Sequence, residues 1–111
     1  MNKLNLNAWG NNHQITLETN TYAENGNLYV GLICWDDGFP LPWSNLTVNL
    51  GAKCKPNCSF IDTNNNGDGI ISWLEANKLG KLTGRTKASG YCIYPEFEFD
   101  MDEVNKYLED E

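Results

Sequence analysis

The chain has 111 residues, of which 41% are apolar and four are tryptophan, and it carries a formal charge of −7. That size and composition predict one globular domain, 1–111, with one modest core, and exclude a disordered chain. No run approaches the ~20 apolar residues of a membrane span and the start, MNKLNLNAWGNN, has no apolar stretch of signal-peptide type, so the expected compartment is the cytoplasm.

In chain order, Lys3–Trp9 alternates, with Leu4, Leu6 and Ala8 on one face, which predicts a half-buried strand. Gly10-Asn11-Asn12 reads as a turn, and His13–Thr19, with Ile15 and Leu17 inward, completes a hairpin. After a turn at 24–27, Leu28–Trp35 is apolar on both faces and predicts a central strand. Residues 36–42 read as a loop stiffened by Pro40 and Pro42. Leu46, Val48 and Leu50 predict a strand with Asn45, Thr47 and Asn49 outward, and Ser59–Ile61 a short one.

Asp62–Gly69 reads as a polar loop, Ile70–Leu79 as a helix stopped by Gly80, and Lys81–Gly90 as a basic loop. Tyr91, Ile93, Phe97 and Phe99 alternate in a last strand interrupted by Pro95. Met101–Leu108 has helical spacing, with Asp100 as its N-cap. The expected fold class is therefore α+β, an antiparallel meander sheet of five to six strands with two short helices.

The charge is concentrated. Residues 96–111 hold eight acids and one base, while the first 95 residues hold seven of each. Such a strip repels nucleic acid and membrane surfaces and favours a basic groove on another protein, so neither nucleic acid nor membrane is an expected direct partner. Glu96, Glu98, Asp100, Asp102 and Glu103 are its candidate partner-binding residues, with Glu96 and Glu98 read as outward acids on an edge strand. Lys78, Lys81, Arg85 and Lys87 form a basic patch expected opposite the strip or in solvent. Trp35, Phe39 and Trp43, around the proline loop, are the candidates for an exposed aromatic patch.

Asn64–Glu75 has the spacing of an EF-hand-type calcium loop, with Asn64, Asn66, Asp68, Ser72 and Glu75 as oxygen ligands and Gly69 at the tight turn. Only two of those ligands are carboxylates, so the expected affinity is weak, on the order of millimolar. The plain alternative is a polar turn followed by a capping box, with Ser72 as N-cap and Glu75 three residues on. Cys54-x3-Cys58 could begin a zinc site with Cys34, Cys92 or His13, but no second paired motif supports it, and four free thiols without cofactor are expected. A single histidine, and no GxSxG, phosphate-loop or HExxH motif, give no catalytic residue and no expectation of an enzyme.

The phrases LNLNAWGN, WDDGFPLPWSNLTVNL, DTNN at 62–65 and TGRTKASGYCIYPEFEFD together resemble a family of small uncharacterised proteins encoded on plasmids and conjugative or phage elements of gut-type bacteria, over about residues 2–100. The resemblance implies a mobile-element setting, in which small acidic proteins often serve as counter-defence factors, anti-CRISPR inhibitors and DNA mimics among them. Joined to the acidic strip, it gives the leading expectation: an inhibitor that lays the strip in the basic nucleic-acid channel of a host nuclease, a CRISPR nuclease above all. The alternatives are a non-enzymatic accessory or adaptor protein and a weak calcium-binding module.

Overall fold

The computed structural model describes residues 2–108; Glu109, Asp110 and Glu111, the end of the acidic strip, lie outside the described residues. The fold is α+β, with two four-stranded antiparallel sheets in place of one meander and three short helices in place of two. The first sheet runs β1 (Leu4–Ala8), β2 (Asn11–Thr21), β3 (Leu28–Cys34), β4 (Leu41–Asn45) in sequence order. The second contains β5 (Thr47–Val48), β6 (Cys58–Ile61), β7 (Gly80–Ser89) and β8 (Cys92–Phe99), in the order β5-β6-β8-β7. The helices are α1 (Thr63–Asn66), α2 (Gly69–Ala76) and α3 (Met101–Asn105). No helix among the described residues is long and apolar enough to cross a membrane.

The β1–β2 hairpin turns one residue earlier than the sequence suggests. Ala8 pairs with Asn11, and Trp9 and Gly10 both take positive φ, 49° and 79°. That is the two-residue turn whose twist matches the flanking strands, and it leaves the Trp9 side chain 89% exposed. β3 is buried from Val30 to Cys34, as a strand covered on both faces must be.

The expected strand through Leu46 and Val48 is split between the sheets. β4 ends at Asn45, and at Leu46 the chain leaves the first sheet for the second. Leu46 N–H donates to the Val30 carbonyl (2.9 Å), and its own carbonyl accepts from Asp62 N–H (2.9 Å). Thr47, expected outward, is buried because its hydroxyl accepts from Val30 N–H (3.2 Å) and meets the Tyr22 hydroxyl (2.8 Å). Polar atoms with such partners are buried at little cost.

Two loops predicted from composition are regular structure. The segment 81–90 is β7, an outer strand whose side chains are almost all exposed, which accounts for its polar sequence. Asp62–Gly69 contains the single turn α1, with the Asp62 carboxylate accepting from Asn65 N–H (3.1 Å). Ser72 lies inside α2, so the capping-box reading does not hold, and Asp68 is the N-cap. The helix ends at Ala76 rather than at Gly80, because Lys78 takes the left-handed conformation (φ 62°) and Leu79 N–H reaches back to Leu74 O (3.0 Å).

The main core lies between the sheets and helices and includes Ile15, Leu17, Leu46, Leu74, Phe97 and Phe99. Tyr91 and Ile93, which alternate in phase with Phe97 and Phe99, are exposed at 108% and 66%. The inward face of β8 is used only from Phe97 onward. Asp100 caps α3 as predicted, accepting from the N–H groups of Asp102 (3.1 Å) and Glu103 (3.3 Å). After α3 the chain lies beside β2, where Leu17 N–H donates to Tyr107 O (2.9 Å).

Candidate functional site

The acidic strip separates into different environments. β8 lies between β6 and β7, so Glu96 and Glu98 are not on an edge. They do share a face, the one turned away from the main core, but that face is roofed at Glu96. A small cluster of Cys54, Cys58 and Phe60 lies beside it, and the irregular stretch of β7 between Leu82 and Thr86 folds over it. The Glu96 side chain is 3% exposed; the Thr83 hydroxyl donates to Oε1 (2.7 Å) and Arg85 Nη1 stands 3.4 Å from Oε2. Burial, then Glu96, pushes the Cys54 thiol up to about 11. The Cys58 thiol is also raised, first by burial.

Of the other strip residues, Glu98 is half exposed, 3.8 Å from Lys81 Nζ. Asp100 is occupied in capping, Glu103 holds Lys106 at 2.7 Å, and Asp102 is exposed. Lys81 and Arg85 of the basic patch therefore face the strip within the same molecule. Together Lys55, Lys81, Arg85, Thr83, Glu96 and Glu98 border a pocket of about 420 Å³.

The aromatic residues are also redistributed. Trp35 is half buried, donating from Nε1 to the Thr16 hydroxyl (2.8 Å), with Lys3 Nζ 5.5 Å from its ring centre. Phe39 is 54% exposed at the turn before β4. Trp43 lies across the sheet face, with its ring centre 4.5 Å from His13 and 5.9 Å from Trp9. The aromatic cluster is thus Trp43 with Trp9 and His13, not Trp43 with Trp35. Pairing of a turn residue with a strand 34 positions later leaves no local signal in the sequence.

Trp9 and Trp43 form one end of a groove of about 740 Å³ that runs to α1 and α2. Trp73 lies along it, its Nε1 donating to Asn5 O (2.6 Å). The remaining lining is Asn5, Asn7, Asn64, Asn65, Asn66 and Ser44 with small or apolar neighbours, and among the described residues it contains no charged side chain. Asn66 is held by the Ser44 hydroxyl (2.8 Å) and by Asn45 O (3.0 Å), whereas Asn7 and Asn64 have exposed side chains. Trp9, Trp73, Asn5, Asn7 and Asn65 are the functional candidates that residue-type reasoning missed, and Asn64 and Asn66, read there as calcium ligands, line the groove instead.

The calcium spacing is spread over two helices. Asn64 and Asn66 belong to α1, Ser72 and Glu75 to α2, with Asp68 between. Asn66 uses its side chain on the Ser44 hydroxyl and on the carbonyls of Asn45 and Asp62.

Residues 16–111 match the family described as Domain of unknown function (DUF4313), and the chain belongs to that family. No curated protein and no solved structure matches it.

Proposed function

We propose that this member of the DUF4313 family is a non-enzymatic recognition protein, an adaptor that holds an uncharged, extended segment of a partner protein in the tryptophan–asparagine groove. The observation that carries this reading is the groove's lining: three tryptophans and five asparagines, with no ionisable group among the described residues. Tryptophan supplies large apolar area with a polar edge, and side-chain amides both donate to and accept from a peptide backbone. β4, which contributes Trp43 and Ser44, is an outer strand of its sheet, a position open to pairing with an extended segment. A charged segment would lose hydration there without gaining a counter-charge.

A second reading keeps the acidic surface as the working part: a cytoplasmic counter-defence protein of a mobile element, inhibiting a host nuclease such as a CRISPR effector through its basic channel. Exposed Asp102 and half-exposed Glu98 favour it, together with the net charge of −7. One experiment separates the two. Partners captured by the wild-type chain are compared with those held by Trp9→Ala/Trp43→Ala and by a Glu98, Asp102 and Glu103 to Lys variant. The groove reading expects the tryptophan variant to lose its partner, by ~2 kcal/mol or more for a central anchor, and the charge variant to keep it. Loss with the charge variant alone, accompanied by inhibition of a nuclease by the wild type, overturns the groove reading.

A further inference from the structure

On the first sheet, beside but outside the groove, three different metal-binding side chains converge. His13 is on β2, Cys34 is the last residue of β3, and Asp36 follows in the turn. One donor atom from each lies within 4.8 Å of the other two. The backbone determines this meeting: Ile15 pairs with Cys34, and Trp35 N–H continues the ladder to Gln14 O (2.9 Å), which brings Asp36 level with His13. The carboxylate is oriented at both oxygens, accepting from Gln14 N–H at Oδ1 (2.9 Å) and lying 2.6 Å from His13 Nδ1 at Oδ2.

We propose that His13, Cys34 and Asp36 bind a thiophilic divalent cation of the zinc class, with the fourth position left to water. The donor set selects the class. A thiolate, an imidazole and a carboxylate suit zinc and its neighbours, whereas magnesium and calcium take oxygen. Three protein ligands with one open position is a common zinc arrangement, and an entry path exists, because the His13 and Asp36 side chains are 15% and 35% exposed. On binding, the Cys34 S–H bond breaks, its proton goes to solvent, and a sulfur–metal bond forms; the His13–Asp36 hydrogen bond opens, the proton that Nδ1 held in it passes through solvent to Nε2, and Nδ1 and the Asp36 carboxylate each donate a lone pair. No oxidation state changes.

The test is a titration of the reduced full-length chain with Co²⁺, followed by displacement with Zn²⁺. The expected result is one ion per chain, with a thiolate-to-cobalt charge-transfer band, visible bands of tetrahedral type, and a change in tryptophan fluorescence from Trp43 beside His13. Cys34→Ser should remove the charge-transfer band. Asp36→Asn, which keeps an oxygen for Gln14 N–H, and His13→Gln should each weaken binding by at least ~100-fold, more than the loss of an outer-shell partner costs. Cys54→Ser and Cys58→Ser should bind as the wild type does. The proposal is overturned if the wild type gives no charge-transfer band, or if the band survives Cys34→Ser and disappears with Cys54→Ser or Cys58→Ser. If Cys34→Ser does not fold, wild-type affinity that is unchanged in Asp36→Asn overturns it equally.

Discussion

Replacing Glu96 separates a buried acid from a solvated one more sharply than any other change in the strip. In the sequence Glu96 and Asp102 are equivalent members of one acidic run; in the structure the first is 3% exposed and the second faces solvent. Glu96→Lys removes the acceptor of the Thr83 hydroxyl and puts a cation where a carboxylate stood 3.4 Å from Arg85. An unpaired buried charge of this kind costs about 3–5 kcal/mol. Glu96→Gln keeps an oxygen for Thr83 and loses the charge, so about 1–2 kcal/mol is expected. Glu96→Leu should cost a similar amount, because Arg85 is half exposed and can hydrate when released. Asp102→Lys reverses a charge in the first turn of α3, an effect within about 1 kcal/mol. Urea unfolding of the four variants at constant m-value measures the differences. If Glu96→Lys lies within about 1 kcal/mol of Asp102→Lys, Glu96 is solvated and the roof formed by Thr83, Arg85 and the Cys54–Cys58 cluster is wrong. The functional corollary is that a charge-reversal test of partner binding must leave Glu96 intact, since its loss would mimic loss of a partner.

Asp36 should govern part of the acid limb of stability. Its carboxyl is held below the usual range by Gln14 N–H first and by His13 second, so its contribution is present above the unfolded value of about 3.9 and is lost as pH falls through the lower folded value; Asp36→Asn should flatten the dependence of melting temperature on pH below about pH 4 in metal-free buffer, and an unchanged slope there refutes it. The thiols should react unequally with iodoacetamide at neutral pH. Cys92, half buried, should label first, and Cys54, buried with its thiol near 11, should label only on the timescale of opening; peptide mass spectrometry that finds Cys54 modified as fast as Cys92 refutes that order.

Where alternation ran along a half-buried strand, as at Leu4–Ala8, the sequence was enough to place the element, because a period of two has one physical cause. The same period misled at residues 45–50. Alternation cannot show that a strand changes sheets midway, and Leu46 is buried under either topology. β7 was unreadable for a different reason: an outer strand exposed along nearly its whole length needs no apolar residue, so its Lys, Thr and Gly resemble a loop. Its strand character comes from pairing with β8, a property of the partner.

The site was less legible than the fold because its residues are common types that only topology brings together. The outward phase of Glu96 and Glu98 was readable, but whether an outward face meets water depends on what roofs it, here a bulge in β7. The tryptophan groove joins residues 5–9, 43–44 and 64–73, three segments that individually read as a strand, a loop edge and a polar turn. His13, Cys34 and Asp36 lie 21 and two positions apart, and nothing in that spacing resembles a metal motif. Register supplies the motif: once Ile15 faces Cys34, the histidine two residues before and the aspartate two residues after are carried to the same end of the strand pair. Antiparallel pairing thus converts separations of opposite sign into proximity, and for a chain of this kind the strand register is what must be known before residue types can be read as chemistry.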